Sequence, residues 1–439
     1  MKLAIVGSGI SGLSCARMLH SHHDVTVFEA DNRAGGHSNT VEFTLQGRAY
    51  QIDTGFIVYN DRTYPHFMKL LGHLGVEGVP TEMSFAVRCD RTGVEYSGTS
   101  LSGVFAQRRN LVRPSFLRMV GDILRFNSQG TSDADTVHPE ETVGEYLHRR
   151  RYGRSFRDLY LLPMGAAIWS CPRGTFADFP IRFILEFYRN HGLLSLTNRP
   201  QWYTIPGGSR QYVRRLIAPF ASQILYGSAV RQVRRDVSGV TVLTDSDEMR
   251  FDEVIFACHS DQALGMLADP TPVERRILAG FPYESNEAVL HTDTSILPRR
   301  KRAWSAWNYR IGTGPETRAT ITYDMNILQH IQSEETFCVT LNETAAINPD
   351  RIISRHRYSH PIFTTERSRL QAEHEALIRA NRTSYCGAYW GNGFHEDGVR
   401  SALAVCRSFG IADVTGRLQG AAEALNPAVS SGSLSACGG

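Results

Sequence analysis

One six-residue segment constrains this chain more than any other: Gly7-Ser8-Gly9-Ile10-Ser11-Gly12, set between an apolar stretch, Lys2 to Val6, and a run of helical character, Leu13 to Leu19. The order is strand, tight turn, helix, with glycines spaced G-x-G-x-x-G. A second apolar stretch, Val25 to Phe28, ends in Glu29, 22 residues after Gly7. Each residue has a physical task in binding a dinucleotide. Gly7 permits the turn, Gly9 lets a pyrophosphate approach the backbone, and Gly12 lets the helix pack closely on the strand. The helix N-terminus at Ile10 and Ser11 offers free N–H groups and a partial positive charge to phosphate. Glu29 can accept hydrogen bonds from ribose hydroxyls. The glycines interrupt the apolar run and no small-residue cleavage site follows, which argues against reading residues 1–20 as a signal peptide. The fold class implied is α/β, with a Rossmann-like nucleotide-binding domain.

Composition narrows the remaining possibilities. A chain of 439 residues with 42% apolar and 21% charged residues has the balance of an ordinary globular protein of two to three domains. Forty-seven basic against forty-four acidic residues leave a net charge of +3, too little to imply nucleic-acid binding. No apolar run approaches the roughly 20 residues needed to span a bilayer. The eight cysteines, at 15, 89, 171, 258, 338, 386, 406 and 437, contain no CxxC. Neither a zinc site nor a disulfide framework is indicated, and scattered thiols fit a reducing, cytoplasmic compartment.

Further motifs separate flavin from nicotinamide. Directly after Glu29 stand Ala30-Asp31-Asn32-Arg33-Ala34-Gly35-Gly36-His37-Ser38, which resemble the R-x-G-G-R extension of FAD enzymes in the amine oxidase and phytoene desaturase superfamily. His37 stands where the superfamily has arginine. That leaves three roles open for it: a weaker phosphate partner, a residue beside the flavin ring, or a packing substitution. The segment Thr54-Gly55-Phe56-Ile57 is similar to one that passes close to the flavin in that superfamily. Asp252 to Ala257 resembles its D-x-V-I-x-A strand, and Val230 falls where the backbone meets the adenine. Gly387, and Gly398 with Val399 at a helix start, resemble its closing FAD motif. Three stretches, GGHSNTV from Gly35, WSAWNY from Trp304 and GFHEDGVRSA from Gly393, are similar to a narrower bacterial group related to the flavoprotein portion of plant cyclopropane fatty acid synthases. The resemblance implies FAD as cofactor, a glutathione-reductase-like FAD domain and an interleaved α+β substrate domain. It also implies redox modification of an unsaturated or methyl-branched acyl chain, with a lipid methyltransferase as partner. An amine oxidase, a polyene desaturase or isomerase, or a non-catalytic flavoprotein partner of the methyltransferase remain the alternatives.

On this basis the cofactor domain is expected from residues 1–81, 201–270 and 376–425, the substrate domain from 82–200 and 271–375, and a loose tail from 426–439. Three residues are the catalytic candidates: Tyr59, His291 (oriented by Asp293 on the same strand face) and Asn308; Asn60, Asn326 and His360 are further polar candidates. His395-Glu396-Asp397 lacks metal-ligand spacing and reads as helix capping, so no metal site is expected. The only lysines are Lys2, Lys69 and Lys301, and none sits where the superfamily's amine oxidases hold a lysine near the flavin. Phe105 to Phe126 reads as one basic amphipathic helix. With the runs Arg149 to Arg151 and Arg299 to Arg302, it raises the prospect of peripheral contact with an inner membrane surface.

Overall fold

The computed structural model describes residues 1–195, 199–314, 318–364 and 366–418; the expected loose tail, 426–439, lies outside them. The strand Lys2–Val6 pairs in parallel with Asp24–Phe28 on one side and Glu253–Phe256 on the other. Its residues Leu3, Ala4, Ile5 and Val6 are buried, as a central parallel strand covered on both faces requires. Ile224–Leu225 and Thr383–Tyr385 complete a five-stranded parallel sheet. Three separated parts of the chain thus build one sheet. Helices Ile10–Leu19 and His395–Arg407 pack together on one face. An antiparallel meander, Gln232–Asp236, Gly239–Leu243 and Glu248–Phe251, covers the other.

The second layer is a seven-stranded sheet in the order Ile352–Pro361, Tyr283–His291, Cys338–Leu341, Ile321–Asp324, Trp307–Ile311, Phe85–Cys89, Val94–Ser97. Its apolar face meets the helices Pro114–Thr136, Val143–Arg149, Leu162–Trp169 and Ile181–Asn190 in the largest core cluster. A small sheet of Val58–Asn60, Trp202–Thr204 and Val79–Thr81 forms where the chain crosses between layers.

Local expectations met two exceptions. The stretch Phe105 to Phe126 is not one helix: a short helix, Leu101–Val104, and a tight turn, Arg108–Val112, precede the long helix that begins at Pro114. Proline lacks the N–H an interior turn needs but suits a first turn, so the helix can only start there. The short strands Ile224–Leu225 and Glu248–Phe251 were not anticipated, being too short to carry a pattern of their own.

One buried ion pair fastens the meander to the parallel sheet. Arg235 donates to both carboxylate oxygens of Glu274, at 2.6 and 3.1 Å, and Tyr385 donates to Oε1 at 2.7 Å. Burial raises the Glu274 carboxyl, but the Arg235 guanidinium, the Thr271 N–H and the Tyr385 hydroxyl outweigh it and hold the group at about 2. Truncating one partner would leave an uncompensated buried charge. Glu274→Ala is therefore expected to destabilise the chain by about 3–5 kcal/mol, read from its denaturant midpoint.

Candidate functional site

The glycine turn after Lys2–Val6 forms a cradle with the second glycine pair. A Cβ at Gly12 would collide with the carbonyl oxygen of Gly7, and the methyl of Ala257 lies 3.1 Å from the same point. Gly35 donates its N–H to Ser8 O at 2.9 Å, and its φ of +116° is open to glycine alone. Gly36 faces Gly9, so that a Cβ on Gly36 would lie 3.2 Å from Gly9 Cα. Gly9 itself caps the helix in an extended conformation, and a Cβ built there would meet nothing within 4 Å. The closing helix packs onto this turn at Gly398, where a Cβ would lie 2.8 Å from Ile10 and 2.9 Å from Ser11. Val399 behind it is fully buried, and Gly387 donates its N–H to Ser401 Oγ at 2.9 Å.

At the cradle's rim the Glu29 carboxylate accepts from the N–H groups of Ser8 (3.0 Å) and Asp31 (2.8 Å) and from Ser8 Oγ. Ala30 is exposed. Ser228 donates its N–H to Glu29 O at 2.8 Å, which brings Val230 alongside. On the other side the backbone of His37 accepts from Phe56 N at 2.8 Å, and a Cβ on Gly55 would strike the His37 carbonyl. Thr54 Oγ1 lies 2.8 Å from the Tyr358 hydroxyl, and Ile57 O accepts from Thr204. The structure thus gathers the residues read from the glycine motifs around one volume.

That volume is basic and short of acceptors. His37 lies with its ring 4.9 Å from Tyr358 and 5.4 Å from His360. His395 stacks on Phe56 at 3.6 Å, its Nε2 2.9 Å from Ser38 Oγ and 3.1 Å from the Tyr212 hydroxyl. Burial, and then the neighbouring imidazoles and Arg33, push His37 well below its ordinary range. Burial takes His360 to about 4 and His395 to about 3, and it lowers His259 as well. Arg33 donates to Gly36 O at 2.9 Å through Nη2, whereas its Nη1 and the Nε2 of His37 are buried with no partner. Buried donors without acceptors are costly unless a ligand satisfies them. A pyrophosphate supplies both acceptors and negative charge, and the open space at Gly9 admits it. These residues fit FAD: Glu29 for the ribose, Arg33 and the turn Gly9 to Gly12 for the phosphates, and the closing-helix N-terminus for the flavin.

The catalytic candidates fall elsewhere. His291 is fully buried, its Nε2 2.8 Å from Thr340 Oγ1 and its Nδ1 accepting from the backbone N–H of Asp293 at 3.0 Å. It lies eight residues along its strand from Tyr283, roughly 27 Å at 3.4 Å per residue, and Tyr283 is the end that stacks on His259 at 4.3 Å. Asp293 stands outside the strand, and its carboxylate caps the N–H groups of Ser295 and Asn348 instead of orienting the ring. Asn308 spends its amide on Ser305 and Thr322. Tyr59 packs against Phe67 and Tyr203, its hydroxyl turned to Gly78. His291 and Asn308 thus spend their polar atoms on neighbouring strands and turns, and Tyr59 packs among aromatic rings.

Sequence reading singled out His360 but missed that its strand forms a wall with His356 and Tyr358. His356, Tyr358 and His360 alternate with the more outward Arg355, Arg357 and Ser359; Asn39 Nδ2 lies 3.2 Å from His356 and 3.0 Å from the Tyr358 hydroxyl. That period of two was the available signal. Also missed was Phe394, which joins the cores of both layers. It stacks with Phe187 at 5.6 Å, and the aromatic path continues through Trp169 (4.8 Å) to Phe363 (5.8 Å). Glu396 and Asp397 behave as expected of caps: Glu396 accepts from the N–H groups of His66 and Phe67, and Asp397 from that of Phe394. Among the described residues no group of His, Cys, Asp and Glu could hold a metal ion.

Residues 10–408 match the profile of the flavin containing amine oxidoreductase family. A Mycobacterium tuberculosis protein named as a flavin-containing monoamine oxidase, AofH, is 27% identical over 292 residues, 63% of this chain and 61% of that protein. The chain therefore matches somewhat under two thirds of the length of this curated relative. Among solved structures, a putrescine oxidase variant superposes with a TM-score of 0.66 at 16% identity, covering 93% of this chain and 98% of that one. A fatty acid isomerase from P. acnes, described as producing CLA, gives 0.65 at 14% identity with the same coverage. Cyclohexylamine oxidase from Brevibacterium oxydans gives 0.65 at 16%, covering 93% and 99%.

Two outcomes test the site. Gly9→Val should leave the apoprotein within about 1 kcal/mol of its original stability yet lower FAD occupancy more than about tenfold, whereas Gly12→Val should not fold. Flavin absorbance after gel filtration, with circular dichroism, separates the two. The buried imidazoles stay neutral in the folded chain but protonate in the unfolded one near pH 6.5. Their contribution to stability is whole above pH 6.5 and is lost as the pH falls toward 4. The thermal midpoint of the apoprotein should decline over that window.

Proposed function

The chain belongs to the flavin containing amine oxidoreductase family, and from that premise we propose that it is an FAD-dependent oxidoreductase whose substrate is an unsaturated or methyl-branched acyl chain. Bound FAD supplies a two-electron acceptor. The chain's own residues orient the substrate, exclude water and fix the local charge. Phe394, Phe187, Trp169 and Phe363 form a packed apolar seam leading away from the closing-helix N-terminus, an environment suited to a hydrocarbon and hostile to water. A lipid methyltransferase working on the same chains is the partner this reading expects.

The observation that carries the reading is the charge around the site. An amine substrate is an ammonium at neutral pH and is best held by a free carboxylate. The titratable groups that crowd the cradle are the imidazoles of His37, His259, His360 and His395, with Arg33. The carboxylates nearby are engaged: Glu396 by His66 at 2.6 Å, Asp397 by Arg400 at 2.8 Å. All three lysines are exposed, Lys69 in an ion pair with Asp413. With the imidazoles neutral, Arg33 is the fixed charge here, and the surroundings offer an ammonium no free carboxylate while accepting a neutral chain. The same fold serves a fatty acid isomerase as well as amine oxidases, so the architecture accommodates either substrate and the wall chemistry decides.

Anaerobic mixing of the holoprotein with vesicles bearing unsaturated or methyl-branched chains, and separately with simple amines, tests this. Flavin absorbance near ~450 nm should fall with the lipid and stay unchanged with amines. Bleaching by amines alone would overturn the acyl reading. Conversion of the lipid without standing bleaching would assign an isomerase, which returns the flavin to its starting state.

A further inference from the structure

Five of the twelve large apolar side chains exposed among the described residues lie in one stretch: Leu101, Leu111, Val112, Leu117 and Leu124. Leu101 and Val112 are 79% and 80% exposed. The stretch folds as one ledge. The turn Arg108–Val112 packs on the start of the helix Pro114–Thr136, and the short helix Leu101–Val104 packs against the turn Lys301–Ala303. Phe105 and Phe116 face inward and anchor it to the core. The second contact matters because it brings the run Arg299 to Arg302, some two hundred residues away in sequence, onto the same face.

Charge on this ledge has one sign. Arg108, Arg109, Arg113, Arg118, Arg299, Arg300, Lys301 and Arg302 form no ion pair with a carboxylate among the described residues. Arg109 and Arg113 bond only to the carbonyls of Gly93 and Thr92. The sequence holds no Asp or Glu between Glu95 and Asp122, nor between Asp293 and Glu316. The two acids that flank the first stretch turn inward: Glu95 accepts from the backbone N–H groups of Arg299 and Arg300, and Asp122 from that of Gly153. The third basic run is different. Arg149 pairs with Glu141 and Arg150 with Asp133, so two charges of that run are neutralised within the helical layer although the run stays at the surface.

We infer that this ledge seats the protein on an anionic phospholipid bilayer, with Leu101, Leu111, Val112 and Leu117 entering the acyl boundary and the surrounding arginines meeting the phosphate headgroups. Protruding apolar side chains ringed by cations complement an interface that is anionic at the surface and apolar beneath. A second copy of this face would set eight cations against eight more, and a nucleic acid would leave the leucines without an apolar partner. No helix among the described residues is long and apolar enough to cross a membrane, so the contact is one of lying on the surface. It stands whichever substrate the site takes.

Cosedimentation of the FAD-loaded protein with phosphatidylglycerol vesicles, against phosphatidylcholine vesicles, reads this directly. Binding to the anionic vesicles should be at least about tenfold stronger and should weaken in about 0.5 M salt. The double variants Leu111→Glu/Val112→Glu and Arg300→Glu/Arg302→Glu should each lose about tenfold or more while keeping flavin content and thermal midpoint. Equal binding by wild type and both variants, or no preference for the anionic lipid, would overturn the inference. So would a wild-type dimer that Leu111→Glu/Val112→Glu dissociates, since that result would give the ledge to a second copy of the chain.

Discussion

The near-contact of the first helix with the first turn is the constraint on which the other parts of the cofactor layer depend. With no side chain at Gly12, the helix Ile10–Leu19 settles against Gly7 and Ala257. Its N-terminus is then held at the carboxyl ends of the parallel strands, where open α/β sheets bind their ligands. Three other segments dock on that position: Gly35 on Ser8, Gly398 on Ile10 and Ser11, and the Glu29 carboxylate on the Ser8 backbone. Two of these partners come from the segment Glu29 to Gly36 and the third from the closing helix near the far end of the chain. A displaced helix would therefore loosen the cradle at every rim at once.

The cradle's electrostatics follow from that closeness. Burial keeps the imidazoles of His37, His259, His360 and His395 neutral in the folded chain, with the neighbouring imidazoles and Arg33 adding to it at His37. Neutral imidazoles can donate to an anion without first losing a proton, and Arg33 retains the fixed positive charge. The arrangement suits a pyrophosphate, and the proposed neutral substrate rests on the same set of side chains.

How much could be read beforehand depended on whether a role was local. The turn Gly7 to Gly12 and the capping acid Asp397 act on residues a few positions away, so spacing alone exposes their tasks, whereas Glu396 caps the helix Pro65–His73 some 330 residues off. The wall strand acts at a distance: Tyr358 meets Thr54 across 304 residues, and only the register of Ile352–Pro361 beside Tyr283–His291 decides which face His356 and His360 present. His291 and Asn308 were misread for the same reason. A polar residue on an apolar strand looks alike in sequence whether it faces a ligand or, as His291 does, a threonine on the next strand. The basic runs show the limit from the other side, for Arg149 to Arg151 and Arg299 to Arg302 are equivalent as text, yet Arg149 and Arg150 are paired with carboxylates and the second run is not.

The two layers are joined by a carboxylate that belongs to neither motif nor wall. Asp53, fully buried at the end of its hairpin strand, accepts from Thr40 Oγ1 (2.6 Å), Ser209 N (3.0 Å) and Ser209 Oγ (2.7 Å) in the cofactor layer. It also accepts from Gln329 Nε2 (3.1 Å) in the substrate layer. Gln329 returns the contact by accepting from Asp53 N at 2.9 Å. Burial lifts the carboxyl to about 6 against the hydrogen bonds that oppose it. The next residues, Thr54 to Ile57, line the cradle. A displacement of the substrate layer at Gln329 would therefore reach the cofactor segment through one residue, without passing through the aromatic path at Phe394. Buried polar joints of this kind are satisfied in one geometry only. The cofactor and substrate layers are on this account fixed to each other by Asp53 together with the contacts of Asn39 and Thr54 to Tyr358, and the apolar seam packs beside these joints.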